Sequence, residues 1–353
     1  MYSVAQSKAF IGSLAFGALT LVATASTAEA KLKVVTTTSD LADIARAVAG
    51  DLADVNALTS GTQDAHFVDA KPSTMIKARS ADLFIEVGME LEIGWAGAVV
   101  EGSRNAKLAI GQPGRLDASA GILRLEVPSG AVDRSMGDVH ALGNPHYWLD
   151  PWNARVVADN VAARLAQIDA ANAAAYRAHA ADFQRRVDEA MFGKPLTDAL
   201  GAAALWKLEL APGFPASLEA QRHGNPALPP LGGWAGKMAP FAGQRVFTYH
   251  RSWSYLIGRF GLRSAGEIEP KPGIPPTPGH LVELVSAART EPVRAILVEP
   301  FYNDQAAKLV AGQINATVLR LPLSVGGDAA STDWFALMSH LVDSVSAALA
   351  GKV

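Results

Sequence analysis

Residues Pro151–Phe192 read PWNARVVADNVAARLAQIDAANAAAYRAHAADFQRRVDEAMF, with neither glycine nor proline between Pro151 and Gly193. Alanine dominates and charges are spread around the segment, so it predicts one long helix, or two abutting ones. Asp150 followed by Pro151 supplies an N-cap and a first helical residue that needs no N–H partner. The segment divides the chain into an upstream region, 31–150, and a downstream region, 193–353, with 151–192 as the connection.

Upstream, Lys31 to Thr38 (KLKVVTTT) is β-branched, and Ser39-Asp40 then caps a helix whose Leu41, Ile44, Ala45 and Val48 fall at helical spacing. Short apolar runs return at Val55–Leu58, Leu83–Val87 and Leu108–Ile110, separated by helix-compatible segments. Downstream, strands are expected at Arg245–Tyr249, Ser264–Ile268, Ala295–Val298 and Val318–Leu321. Helices are expected near Ser252–Phe260, Pro278–Arg289, Asp304–Ile314 and Ser331–Leu349. Between Gly193 and Gly243 the chain is Gly/Pro-punctuated, with one helix expected near Leu196–Leu208 and a loop through Pro226–Gly233. The fold class is therefore α/β with two lobes, each a mainly parallel sheet with flanking helices, joined by a long rigid interdomain helix. No residue-level repeat links the lobes, and a ligand is expected between them, at the carboxyl ends of strands.

The first thirty residues have the form of an export signal. Lys8 precedes an apolar run, Ala9–Ala23, and Ala28-Glu29-Ala30 precedes an expected cleavage before Lys31. Gly12, Ser13, Gly17 and Thr20 interrupt the run, which is too short to span a bilayer, and no later stretch approaches the ~20 apolar residues a span requires. The protein has no cysteine. Disulfides, thiolate metal sites and thioether lipidation are thereby excluded, and a free periplasmic protein is expected. The net charge of −3 and the lack of a Lys/Arg block argue against nucleic-acid binding. Any metal must be held by His, Asp or Glu.

Of eight histidines, three stand where a strand or loop gives way to a helix: His66 in DAHFVDAKPS, His146 in GNPHYWLDP and His250 at the end of RVFTYH. Neutral imidazole suits zinc, copper, iron and nickel. Spacing alone does not join them, since no short motif such as HExxH occurs, and each taken singly is better explained as a structural or surface histidine than as a ligand. His140, six residues before His146, either assists metal capture or orders its loop. His179 and His340 lie in expected helices, His223 in an expected loop, and His280 at a helix start.

Taken in order after an export signal, DAHFVDAKPS, NPHYWLDP (Asn144–Pro151) and YHRSWSYLIGRFGL (Tyr249–Leu262) resemble the zinc/manganese-binding solute receptors of ABC importers, over essentially the whole mature chain. The resemblance implies two α/β lobes bridged by a rigid helix, only modest closure on binding, and one imidazole from each motif: His66, His146 and His250. It also implies an ABC permease and its ATPase as partners, with the receptor acting as a monomer and a periplasmic metallochaperone as a further possible partner.

The sequence departs from that pattern in two ways. Where many members carry a ligating Asp before a Pro, this chain has Leu321, in LPLSVGGD, and Asp328 lies seven residues on. Glu299, closing the apolar strand AILVEP, is the better candidate for a carboxylate at the metal, with an outer-shell or structural role as its alternative. No His-rich loop is present. Three imidazoles plus one oxygen suit Zn2+, whereas Mn2+ prefers more oxygen donors; copper and nickel would bind tightly in vitro. The competing readings are a metallochaperone working without a permease and an exported zinc hydrolase. Tyr147, Trp148, Trp253, Tyr255 and Phe260 are read as packing around the site.

Overall fold

The computed structural model describes residues 1–3, 5, 30–130, 140–211, 213–271 and 273–352. The export signal expected over 1–30 falls almost wholly outside the described residues. Among the described residues, no helix is long and apolar enough to cross a membrane.

The first lobe runs β1 (Leu32–Thr36), α1 (Ser39–Ala49), β2 (Ala53–Ala57), α2 (Pro72–Arg79), β3 (Leu83–Glu86), α3 (Ala96–Ser103) and β4 (Arg115–Asp117). All pairings are parallel, in the order β2-β1-β3-β4. The Thr38 hydroxyl accepts from the Leu41 N–H to cap α1, and Leu41, Ile44, Ala45 and Val48 are buried, as their spacing predicts. The strand expected at Leu108–Ile110 is not one. Residues Ala106–Leu108 form a 3-10 turn that sinks Leu108 into the core, and the fourth strand is the polar Arg115–Asp117. Its place at the sheet edge is secured by Arg115, whose Nε and Nη2 donate to the two oxygens of Glu86 on β3 at 2.9 and 2.8 Å.

The connection takes the two-helix form, and the two are not collinear. Helix α4 (Pro151–Ile168) ends at Asp169, and α5 (Ala173–Phe192) folds back along it. Asp169 Oδ2 accepts from Asn172 Nδ2 at 2.8 Å and from the Tyr176 hydroxyl at 2.5 Å, so one side chain organises the turn without glycine or proline. The return path is marked by Gln184 Nε2 donating to the Arg155 carbonyl at 3.1 Å and by the Arg155–Asp188 ion pair. Four short helices follow: α6 (Lys194–Leu200), α7 (Ala202–Glu209), α8 (Ala216–Gly224) and α9 (Gly233–Met238). The single helix expected over 196–208 is broken at Gly201, whose φ of +77° favours glycine. His223 lies in the last turn of α8 rather than in a loop.

The second lobe runs β5 (Arg245–Thr248), α10 (Ser254–Arg259), β6 (Arg263–Glu267), α11 (Pro278–Thr290), β7 (Val293–Val298), α12 (Gln305–Ile314), β8 (Thr317–Arg320) and α13 (Trp334–Leu349). Its order, β6-β5-β7-β8, is again all parallel and repeats the topology of the first sheet. The repeat lives in strand order rather than in residue identity.

Side chains bolt the lobes together. Asp40 and Asp43 on α1 accept from the Val325 and Trp334 N–H groups at 2.9 and 2.8 Å. Trp148 Nε1 donates to the Leu323 carbonyl at 2.9 Å. Gly61 lies so close to the main chain of Val325–Gly327 that a Cβ would collide with it. The buried Arg259 guanidinium grips Asp150 with two 2.8 Å bonds and also pairs with Glu209. Burial pushes the Asp40 carboxyl up to about 7.

Candidate metal centre

Two of the three motif histidines are held by the same local device. His66 follows β2, and Asp64 Oδ1, two residues back, accepts both its backbone N–H at 2.9 Å and its Nδ1–H at 2.7 Å. His146 precedes the 3-10 turn that leads into α4, and Asn144 Oδ1 accepts its backbone N–H at 3.0 Å and its Nδ1–H at 2.9 Å. An Asx side chain two positions upstream thus fixes ring and backbone together.

His250 is held across the sheet. Thr248 pairs with Glu267 in the β5–β6 register, and both strands continue in step, with Glu269 N donating to the Tyr249 carbonyl. His250 and Glu269 emerge side by side, and His250 Nδ1 donates to the Glu269 carboxylate. With every Nδ1 proton committed to an acceptor, each Nε2 presents its lone pair.

The three rings converge. One ring nitrogen from each of His66, His146 and His250 lies within 4.8 Å of the others. Ring centroids stand 5.2 Å apart for His66–His146, 5.8 Å for His66–His250 and 5.7 Å for His146–His250. His146 and His250 are buried and His66 is half-buried. Burial, reinforced by the neighbouring imidazoles, holds His146 well below the ordinary histidine range, so it is neutral at pH 7. Burial alone would raise Asp64, but the bonds from His66 outweigh it and hold that carboxyl below its usual range.

Glu299 stands outside this group. It is fully buried just past β7, and neither carboxylate oxygen makes a well-formed hydrogen bond. Burial pushes it up to about 8; the adjacent Ser252 lowers it only in part, and repulsion from Glu269 and Asp64 adds to the rise. Leu321 is buried in the core and offers no donor. Asp328 is spent on its own turn, accepting from Ala330 N, Ser331 N and Ser331 Oγ, while its other oxygen faces His340 Nε2 at 3.2 Å. His179 and His280 bond the Val48 and Glu267 carbonyls. His140 does reach the centre: its Nε2 lies 3.2 Å from that of His66.

Sequence reasoning passed over Asp64, Asn144 and Glu269. The first two carry a visible signal, an Asx two residues before each histidine in DAH and NPH. Glu269 carries none. The packing role read for the aromatics holds, with Tyr147, Trp148, Trp253, Tyr255 and Phe260 all buried.

The family model for ZnuA, the periplasmic component A of the zinc-uptake complex, matches residues 34–191 and 234–348, well over half of the chain. The chain belongs to the ZnuA family. Its members are metal-binding substrate-binding proteins of ABC metal transporters. The iron-binding protein YfeA of Yersinia pestis is 31% identical over 174 residues, 47% of this chain and 51% of that protein. The manganese ABC transporter substrate-binding lipoprotein PsaA of Streptococcus anginosus is 30% identical over 183 residues, 48% and 54% of the two chains. The chain thus spans about half the length of these curated relatives. A crystal structure of ZnuA superposes with a TM-score of 0.66 at 19% identity, covering 91% of this chain and 100% of that one, and so shares the fold.

Proposed function

We propose that this chain is a periplasmic receptor that captures one divalent transition-metal ion between its lobes and delivers it to the permease of an ABC importer powered by its ATPase. The carrying observation is the convergence of three lone-pair nitrogens, two from the first lobe and one from the second, each oriented by an acceptor on Nδ1. His66, His146 and His250 are the ligands in this reading. Tetrahedral zinc places its nitrogens about 3.3 Å apart, so nitrogens within 4.8 Å of one another need draw together by no more than about 1.5 Å, which suits lobes already bolted to each other.

Glu299 is the acid assigned to the ion's surroundings, as a donor or as its countercharge, and it yields its proton as the cation arrives. Zinc is the leading cargo because imidazole dominates the donor set, and Mn2+ is the lesser candidate. The relatives named for iron and manganese make this choice a matter for experiment. In this reading the receptor acts as a monomer in the periplasm, and a periplasmic metallochaperone is a further source of metal. The test is zinc uptake by cells lacking the chain. Restoration by the wild-type protein, but not by His146→Ala secreted to the same level, supports the proposal; equal uptake with both contradicts it.

A further inference from the structure

A fourth imidazole, His140, touches this centre through His66 and is held by contacts of its own. Beyond β3, Gly88, Met89 and Glu90 all adopt positive φ, at 77°, 51° and 69°. Such a run is costly for Met and Glu and persists only where surrounding structure enforces it. Its effect is to turn Glu90 toward the segment before Asn144. Glu90 Oε2 accepts from the Ala141 N–H at 2.7 Å, and the Glu90 main-chain carbonyl accepts from the His140 ring. His140 is therefore held by one acceptor on its far side while Nε2 points inward, as in the other three histidines.

The inward contact is informative. His66 has given its ring proton to Asp64, so its Nε2 carries a lone pair, and the Glu90 carbonyl lies where it favours the His140 proton on the far side of that ring. The two Nε2 atoms stand 3.2 Å apart, with the rings stacked at 5.2 Å and 27°. With the His140 proton on its far nitrogen, both Nε2 lone pairs face a common point that a single cation can occupy. The edge of a tetrahedral zinc–imidazole site is about 3.3 Å, which this separation matches.

We infer that His140 is a fourth nitrogen ligand of the bound ion, giving an all-imidazole coordination sphere that takes zinc in preference to manganese. The inference rests on the reading of His66, His146 and His250 as ligands. It accounts for the apolar Leu321, which leaves that part of the second lobe without an oxygen donor. It also assigns Glu299 the role of countercharge: four neutral nitrogens leave the dication's charge intact, and a buried acid without a well-formed hydrogen bond can balance it.

X-ray absorption fine structure of the full chain loaded with one zinc counts the imidazoles directly, in the wild type and in His140→Ala. The expected result is about four imidazoles in the wild type and about three with a replacing oxygen donor in the variant. Zinc affinity should fall at least about tenfold, the lower end of the loss seen when even an outer-shell partner is removed, and the preference for zinc over manganese should narrow. The cobalt(II) visible spectrum should shift between the two. Three imidazoles in the wild type, with unchanged affinity and spectrum in the variant, would overturn the inference while leaving the three-histidine site intact. Indifference of zinc binding to His66→Ala, His146→Ala and His250→Ala would overturn both.

Discussion

The two lobes share a strand order, and each buries one glutamate completely in the loop beyond its third strand, yet the two acids are treated in opposite ways. In the first lobe, Glu92 accepts from the Thr37 hydroxyl at 2.6 Å, the Val87 N–H at 2.7 Å and the Gly88 N–H at 3.1 Å. In the second, Glu299 finds no well-formed hydrogen bond, and only the Ser252 hydroxyl and its own N–H lie near enough to favour its charged form. A buried acid with its acceptor capacity used is a structural cross-link. A buried acid with none used is a standing cost, tolerated where a charged ligand is to arrive. The repeated fold thus sets a common frame, and polar satisfaction separates the half that braces the site from the half that holds an acid in reserve.

The largest effect that probes this contrast is on stability. Glu92→Ala strands the Thr37 hydroxyl and two backbone N–H groups in the core, and should cost about 3–5 kcal/mol in denaturant unfolding of the metal-free protein. Glu299→Gln should change the same quantity by no more than about 1 kcal/mol, since it removes no well-formed hydrogen bond. Equal losses at both positions would erase the distinction. The reverse pattern is expected for the cargo: Glu299→Gln should weaken zinc binding roughly tenfold, about 1.4 kcal/mol, as read by competition with a chelator.

Proton release sharpens the comparison further. At pH 7 the metal-free Glu299 carboxyl, with its pKa at about 8, carries a proton that a bound dication should expel. Calorimetry in buffers of differing ionisation enthalpy should therefore show about one proton released per zinc in the wild type and fewer in Glu299→Gln.

A smaller effect separates the structural acids from the site. Asp40 lies near 7 when folded, against 3.8 when unfolded. Between those values the folded chain holds a proton that the unfolded chain has lost, so this group's contribution grows more favourable as pH falls from about 7 toward 4. The slope is on the order of 1 kcal/mol per pH unit. Buried His146 works in the opposite sense, because only the unfolded chain takes up its proton below about 6.5. Unfolding of wild type and Asp40→Asn side by side isolates the aspartate: the difference should move in favour of the wild type on acidification from pH 7 to 5, and a constant difference would refute the assignment.

How much of this was legible in the sequence follows from where each signal is written. Val34–Val35 in β1, Leu83–Ile85 in β3 and Ala295–Val298 in β7 are apolar runs because they are buried within parallel sheets. β4 is polar, defined by one ion pair to its neighbour, and its sequence shows no run. The fold-back between α4 and α5 is set by the Asp169 side chain bonding Asn172 and Tyr176, a turn signal without the usual glycine or proline. His66, His146 and His250 were legible through their motifs, and Asp64 and Asn144 through fixed local spacing. Glu269 depends on the β5–β6 register, and the Glu90–His140 contact on three successive left-handed residues. Tertiary placement of that kind leaves no local trace.

The central claim is that His66, His146 and His250, drawn from both lobes, bind one ion together. Zinc titration of the stripped protein tests it most directly, with each histidine changed in turn to alanine. The account predicts one tightly held zinc per chain and a loss of at least about 10-fold in affinity for each variant, with His250→Ala as damaging as the two first-lobe changes. Tight binding that survives His250→Ala would place the site within the first lobe alone and contradict the account.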